Sequence, residues 1–140
     1  MMKEKIIKLF LRLAIAVGFL SAVADRFGLW SKEFSVWGNW DAFLAYTQVL
    51  NPWFPESLIP AIGFIATAAE IVFAVCLLIG YKTKLFAQLS GFLLLIFALS
   101  MTFSTGIKSA LNFSVFAASA GAFALSVMKT KFLELDQLKA

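Results

Sequence analysis

The chain has 140 residues, of which 61% are hydrophobic and 14% charged. Its mean hydropathy of +0.89 excludes an ordinary water-soluble domain, in which about a quarter of the residues are charged. The net charge is +4, but the basic residues flank apolar segments instead of sharing one soluble face, so a nucleic-acid partner is not expected. The composition predicts one all-α domain over residues 1–140 that lies in a lipid bilayer.

The first predicted element is a membrane-spanning helix over residues 6–27. Its basic start and the run Ala22-Val23-Ala24 also resemble a secretory signal peptide. The segment is long enough to span a bilayer, and Ala14, Gly18 and Ala22 recur at every fourth position, which is typical of helix packing. We therefore predict an uncleaved helix that packs through this small-residue face.

Charged residues lie near both ends of this helix. Arg12 lies off the small-residue face, so it is predicted to extend to the membrane surface as an anchor. Asp25 and Arg26 continue the face at the other end. Because neighbouring helical residues do not face each other, these two either pair at the mouth of the bundle or take separate partners.

The connection over residues 28–57 is long for a small bundle and contains all four tryptophans. Residues 41–50 are predicted to form a short helix, capped by Asn39 or Asp41 and ended by Asn51-Pro52. One interpretation of the connection is an aromatic anchor at the membrane surface. The other is a lid over a pocket in the outer half of the bundle, with these residues near its rim: Asp25, Arg26, Asp41 and Lys108.

Glu70 is the strongest candidate for a functional residue. It lies near the centre of residues 58–80, which carry no other charge and would form a helix of about 34 Å, enough to cross a bilayer core of roughly 30 Å. The residues one or two turns away on its face are small, which predicts that it points into the bundle: Gly63, Ala66, Thr67 and Ala74. The opposite face is bulky: Ile65, Val72, Val75 and Ile79.

An ionised carboxylate at that depth would need a cation close by. Arg26 begins near the outer surface, whereas Glu70 lies roughly 18 Å below the start of its own helix, so a direct pair is not expected. Burial of a lone carboxyl is costly in a membrane, and we therefore interpret Glu70 as a ligand- or proton-binding residue.

The third predicted helix covers residues 85–105. One stripe combines small and polar residues and is expected to face Glu70: Gln88, Gly91, Leu95, Ala98, Thr102 and Thr105. Plain helix packing explains the small and hydroxyl-bearing positions, while Gln88 and Thr102 remain candidates for a polar site. A fourth helix is predicted over residues 110–128, followed by a tail that is expected to lie at the membrane surface.

The basic residues predict the topology. With both termini in the cytoplasm, nine of them lie on the inner side: Lys3, Lys5, Lys8, Arg12, Lys82, Lys84, Lys129, Lys131 and Lys139. Three lie on the outer side: Arg26, Lys32 and Lys108. This positive-inside bias predicts a multi-pass protein of the cytoplasmic (inner) membrane.

The chain has no histidine and one cysteine, Cys76, so haem, zinc and copper sites built from His or paired Cys are not expected. Any electrons would have to be carried by a partner or a diffusing quinone. General acid–base catalysis commonly uses a second acid or base, and the sequence places none at the depth of Glu70. An autonomous enzyme is therefore not expected.

Several segments resemble the DoxX-like family of small membrane proteins. They are RLAIAVGFLSAVADRFG in the first helix, GNWDAFLAYTQVLNPWFP before the second, the central Glu70, the turn Gly80 to Lys84, and the run GIKSALNFSVFAASA. The resemblance covers nearly the whole chain and implies a four-helix membrane bundle. It also implies a role beside quinone-linked oxidation, since the family takes its name from a membrane subunit linked with terminal quinol oxidation and thiosulfate-to-quinone electron transfer. The chain differs in having Asp25-Arg26 where many members have Gly and Lys.

Three functions follow as hypotheses. The first is an accessory, non-redox subunit of a quinone-linked respiratory or sulfur-oxidising system, in which Glu70 lines a site for a quinone head group or a proton. The second is a membrane-protein assembly factor or chaperone that binds partner helices through small-residue faces. The third is a binder or transporter of a small molecule that uses the outer-half pocket. The small-residue faces would also permit a homo-oligomer.

Overall fold

The computed structural model describes residues 1–138 and is all-helical within them. The α-helices are α1 (Met2–Arg26), α2 (Trp40–Leu50), α3 (Ile59–Ile79), α4 (Thr83–Ser104), α5 (Ile107–Asn112) and α6 (Val115–Ser126). Short 3₁₀ turns cover Glu56–Leu58 and Leu135–Leu138. Among the described residues, three helical stretches are long and apolar enough to cross a membrane: Met2–Arg26, Glu56–Ile79 and Thr83–Ser104.

Helices α1 and α3 pack side by side and run in opposite directions. The side chain of Arg26, at the end of α1, bonds Thr67 in the first half of α3, whereas Arg12, near the start of α1, bonds carbonyls of Leu77 and Leu78 at the end of α3. We call the end of the bundle that carries residues 28–57 the cap end. The end that carries the turn between α3 and α4 is the tail end.

The packing face of α1 differs from the prediction. Ala14 and Gly18 are exposed, and no atom lies within 4 Å of the position that a Cβ at Gly18 would take. The buried stripe is made instead of larger residues, including Ile15, Phe19 and Val23. The larger residues are buried in preference to the small ones because each removes more apolar area from solvent than an Ala or Gly can.

Helix α3 has the orientation that the sequence predicts. Gly63, Thr67, Glu70 and Ala74 are buried, and the predicted opposite face is exposed. The absence of a side chain at Gly63 allows α2 to approach, since a Cβ there would lie 2.6 Å from Leu44 Cδ2. Small residues on this face therefore admit both the α2 helix and the polar side chains described below.

Helix α2 confirms the short helix predicted within the connection. The Asn39 side chain caps it by accepting a hydrogen bond of 2.8 Å from the Ala42 N–H, and Asn51 follows its last residue. Asn51 Oδ1 also accepts a 3.1 Å bond from Ser100 Oγ of α4. The connection is therefore an ordered cap that is fixed to two helices of the bundle.

The stripe predicted on α4 does not face Glu70 along its length. Gly91 faces α6, where a Cβ would lie 2.9 Å from the Phe123 ring, and its carbonyl accepts a 2.7 Å bond from Ser119 Oγ. Thr105 is exposed. Helix α4 turns this face to α6 because Gly91 lets the Phe123 ring lie directly on its backbone.

The fourth apolar block is not one continuous helix. It is divided into α5 and α6 at Phe113 and Ser114, and Ser114 has a φ of 56° in the left-handed region. The neighbouring Asn112 and Ser114 are residue types whose side chains compete for backbone hydrogen bonds and so favour helix ends. With 12 residues, α6 is shorter than the ~20 needed for a bilayer span.

The tail, which the sequence predicts to lie at the membrane surface, packs on the tail end of the bundle. Glu134 is buried and its Oε1 pairs with Lys8 Nζ at 3.0 Å, while Lys8 also donates to the Thr130 carbonyl at 2.6 Å. Gly80, with φ of 72°, sits against this segment, and a Cβ there would lie 2.5 Å from Glu134 Cα. Lys139, predicted to be an inner-side charge, lies outside the described residues.

Arg12 holds the same segment and is not a surface anchor. It is 1% exposed and donates to four backbone carbonyls at 2.8 to 3.0 Å: Leu77, Leu78, Phe132 and Leu133. The first two belong to the last turn of α3, whose carbonyls lack partners within the helix and carry its negative dipole end. A guanidinium with five N–H donors matches this group of acceptors better than it matches the membrane surface.

Candidate functional site

A buried ion pair forms the centre of the site. Arg26 Nη2 lies 2.8 Å from Glu70 Oε1, and the two side chains are 4% and 1% exposed. Arg26 Nη1 donates to Thr67 Oγ1 at 2.7 Å, one turn before Glu70. The expectation that Arg26 and Glu70 lie too far apart to pair is therefore wrong.

The direction of the side chains explains this pair. Side chains on an α-helix lean toward its N-terminus. Arg26, at the cap end of α1, therefore leans into the bundle, while Glu70 on the antiparallel α3 leans back toward the cap end. Backbone depths alone place the two residues too far apart, but their side chains converge.

Aromatic rings from the connection cover the guanidinium. Arg26 Cζ lies 3.9 Å from the centroid of the Phe43 ring and 5.3 Å from that of Trp37. These two rings meet edge to face at 5.2 Å, and Tyr46 lies against Trp37 at 5.8 Å. We call Arg26, Glu70, Thr67, Phe43 and Trp37 the cap cluster. Cation–π contacts of this kind strengthen when the cation is removed from water.

Asp25 binds the backbone of the connection and does not pair with Arg26. Its carboxylate accepts the N–H groups of Val36 at 2.7 Å, Trp37 at 3.3 Å and Gly38 at 3.1 Å. Of the two arrangements considered for Asp25 and Arg26, the structure therefore has separate partners. Asp25 fixes the segment that carries Trp37 over the guanidinium.

A cleft of about 400 Å³ opens beside this segment. Asp25 and Trp37 form part of its wall, and Trp30 spans it with a 3.1 Å bond from its Nε1 to the Ser21 carbonyl. The remaining wall is formed by Gly18, Ala22, Phe34 and Val36. Its size is within the ~300–1,000 Å³ range of small-molecule sites.

Two donors of the cap cluster are buried without an acceptor among residues 1–138. They are Arg26 Nε and Trp37 Nε1. Buried N–H groups in native proteins nearly always have a partner, because an unpaired one costs about 1–3 kcal/mol. This end of the bundle therefore has unused hydrogen-bonding capacity next to a cleft.

One amine and one hydroxyl among the candidates, those of Lys108 and Thr102, lie apart from the cap cluster. Lys108 Nζ donates to Asn112 Oδ1 within α5 at 3.3 Å. Thr102 Oγ1 donates to the Ala98 carbonyl one turn earlier in α4 at 2.7 Å. Both side chains satisfy their own helices, which is the plain packing role that the sequence already favoured for the hydroxyl.

The remaining two candidates, Asp41 and Gln88, also lie outside the cap cluster. Asp41 is exposed in the first turn of α2, and Gln88 is half-buried on α4. The structure thus brings together Asp25, Arg26 and Glu70, and it leaves four of the seven candidates elsewhere.

Trp37 and Phe43 are the site residues that sequence reasoning did not single out. The sequence predicts their segment to be an aromatic anchor at the membrane surface or a lid, and it assigns neither ring to the site. The usable signal was the buried charge itself, because a guanidinium inside a membrane protein calls for a carboxylate and aromatic faces.

No protein-family model, curated protein or solved structure matches this chain.

Proposed function

We propose that the protein is a DoxX-like, multi-pass subunit of the cytoplasmic membrane that accompanies a quinone-linked oxidoreductase without carrying electrons itself. In this proposal the cap cluster is its working site, where Glu70 and Arg26 hold a quinone head group or a proton. The observation that carries the proposal is the buried Arg26–Glu70 pair at 2.8 Å. Ionisable groups at membrane depth are expensive and commonly mark ligand or proton sites.

The proposed topology has four crossings and both termini in the cytoplasm. Helix α6, extended by α5, would form a fourth, interrupted crossing, since backbone breaks at membrane depth are tolerated where protein covers them. Among residues 1–138, three basic residues are buried, namely Lys8, Arg12 and Arg26, so the positive-inside bias rests on the other lysines. Among these, Lys82, Lys84, Lys129 and Lys131 belong to the tail end, which supports its placement in the cytoplasm.

The test is purification of wild type and Glu70→Gln in nanodiscs, with mass spectrometry of the proteins, lipids and quinones that accompany them. Wild type is expected to retain a redox partner or a quinone, and Glu70→Gln to lose it. Asp41→Asn is the matched control, because it makes the same acid-to-amide change at an exposed position. Unchanged partner and quinone content in Glu70→Gln would refute the proposal, as would a varied set of unfinished membrane proteins, which would indicate an assembly factor.

The cleft beside Asp25 favours a second candidate, a small-molecule binder that acts without a redox partner. Its volume and the ordered cap over it suit a ligand that enters from the bilayer. Binding to the purified protein that survives removal of every partner, together with unchanged partner activity in Glu70→Gln, would favour this candidate over the first.

A further inference from the structure

We infer that the cap cluster recognises the carbonyl oxygen of a neutral, membrane-soluble molecule, which accepts hydrogen bonds from Arg26 Nε and Trp37 Nε1. The inference rests on the proposed function and names the ligand chemistry of the same site. It is carried by the two buried donors without acceptors and by the cleft that Trp37 borders.

The two donors belong to one contact. The Arg26 guanidinium lies 5.3 Å from the centroid of the Trp37 ring, and the Arg26 side chain is fixed in place by its bonds to Thr67 and Glu70. Of the guanidinium nitrogens, Nη1 and Nη2 are used in those bonds, whereas Nε has no acceptor within residues 1–138. Trp37 lines the cleft and Arg26 lies behind it, so an oxygen acceptor would reach Nε by displacing the edge of the Trp37 ring and would then meet a guanidinium that is already held in place.

The charge balance selects a neutral acceptor. Arg26 is offset by Glu70 at 2.8 Å, and the nearby Asp25 is a second buried carboxyl whose partners are backbone N–H groups. An anionic ligand would add negative charge to a buried region that has only one guanidinium to balance these two carboxyls. A neutral carbonyl oxygen accepts the same hydrogen bonds without that cost.

The cleft that Trp37 borders favours a flat, apolar body behind the carbonyl. The cleft wall includes Trp30, Phe34, Val36 and Trp37, together with small residues of α1 such as Gly18. Gly18 is exposed with no atom within 4 Å of the position of a Cβ, and Ala22 is half-buried, so an apolar substituent would lie against α1 at Gly18.

The experiment measures binding by calorimetry to the full chain in nanodiscs with three probes that share a decyl chain. They are a decyl-substituted benzoquinone, which is neutral and has carbonyls, decylbenzene, which has none, and decanoate, which is anionic. The benzoquinone is expected to bind wild type most tightly. Trp37→Phe is expected to weaken it by roughly three- to tenfold, the worth of one hydrogen bond, and to leave decylbenzene unchanged.

Trp53→Phe is the matched control, because Trp53 is exposed in the same connection and does not line the cleft. Benzothienylalanine at position 37 keeps the shape of the indole but replaces its N–H with sulfur, so it repeats the test if Trp37→Phe unfolds. Equal benzoquinone binding with and without the position-37 N–H would overturn the inference, as would preference for decanoate or absence of benzoquinone binding to wild type. Loss of binding in Trp37→Phe with unchanged partner activity in Glu70→Gln would retain the ligand chemistry and reject the subunit role.

Discussion

The two ends of the bundle each bury an arginine from α1, and they use it differently. At the tail end, Arg12 donates to four backbone carbonyls. At the cap end, Arg26 bonds one carboxylate and one hydroxyl and lies under two aromatic rings, and its Nε–H has no acceptor in the described part of the chain. The arginine at the tail end therefore joins segments of backbone, whereas the arginine at the cap end keeps a hydrogen-bond donor for a ligand.

The partners explain the difference. The main-chain carbonyls of α3 and the tail are fixed by the fold. They need a side chain with several N–H donors whether or not a ligand is bound. A carboxylate and a hydroxyl on α3 could both be replaced by apolar side chains of similar volume, often without loss of stability. An ionic pair that stability does not require is a better candidate for function than one that joins segments of backbone.

The largest expected effect is from Arg12→Met, which breaks the tail end. We expect the free energy of unfolding to fall by about 3–5 kcal/mol, because four carbonyls lose a charged donor in a buried place. SDS-induced unfolding in mixed micelles measures it. Lys3→Met, at an exposed position of the same helix, is the control and should change stability by less than about 0.5 kcal/mol.

Arg12→Met also separates the two ends functionally. Benzoquinone binding to the fraction that remains folded should match wild type, since Arg12 lies at the opposite end from the cap cluster. A loss of ligand affinity larger than the loss of folded protein would contradict the division of roles between the two arginines.

The next effect concerns the cap pair and is a double-mutant cycle. Arg26→Met and Glu70→Met should each cost about 3 kcal/mol, because each leaves a buried charge or donor without its partner. The double variant should recover most of the summed loss, because replacing both partners leaves no buried charge unpaired. Unfolding in mixed micelles gives the four stabilities, and ligand binding should stay absent in the double variant.

Additive losses in this cycle would contradict a direct pair. Full retention of ligand binding by the double variant would show that the pair serves structure alone. The cycle therefore tests whether the cap pair binds a ligand or only stabilises the fold, as Arg12 does at the tail end.

The sequence predicts α3 well and α1 poorly, for one physical reason. On α3 the polar and small residues share a single stripe, and a lone glutamate makes the inward face unambiguous. On α1 two stripes compete, and the small-residue stripe turns outward while the stripe of Lys8, Arg12, Ile15, Phe19 and Arg26 turns inward. Spacing identifies such stripes, but neighbouring helices decide which one is buried.

Contacts between distant segments could not be predicted from spacing at all. The Lys8–Glu134 pair joins the first helix to the tail, and the Arg26–Glu70 pair depends on how side chains lean between antiparallel helices. The cap of α2 by Asn39 was predictable because its partners are three residues apart. Local signals therefore identified elements and caps, whereas the ion pairs of the site required the fold.

The smallest expected effect on the free energy of unfolding concerns Asp136, which hydrogen-bonds the tail to the start of α4. Its two carboxylate oxygens accept the N–H groups of Lys82 at 2.7 Å and Thr83 at 2.8 Å, at the first residues of the helix. Burial favours a higher pKa for Asp136, but these hydrogen bonds and the charge of Lys131 together hold the pKa below its usual 3.8. Ionised Asp136 therefore stabilises the fold above its ordinary pKa, and that stability is lost as the pH falls through the lowered value.

Asp136→Asn should lower the free energy of unfolding by about 1 kcal/mol at pH 7, as expected for a weakened helix cap. The difference from wild type should shrink below about pH 4, because wild type then loses the same charge by protonation. Unfolding at pH 7 and pH 3 measures both values, and Asp41→Asn serves as the control at the exposed start of α2. A difference that stays constant between the two pH values would mean that Asp136 acts through its shape and hydrogen bonds instead of its charge. The tail would then be joined to the start of α4 by neutral hydrogen bonds, while the charged contacts of the tail end would be those of Lys8 with Glu134 and of Arg12 with the carbonyls.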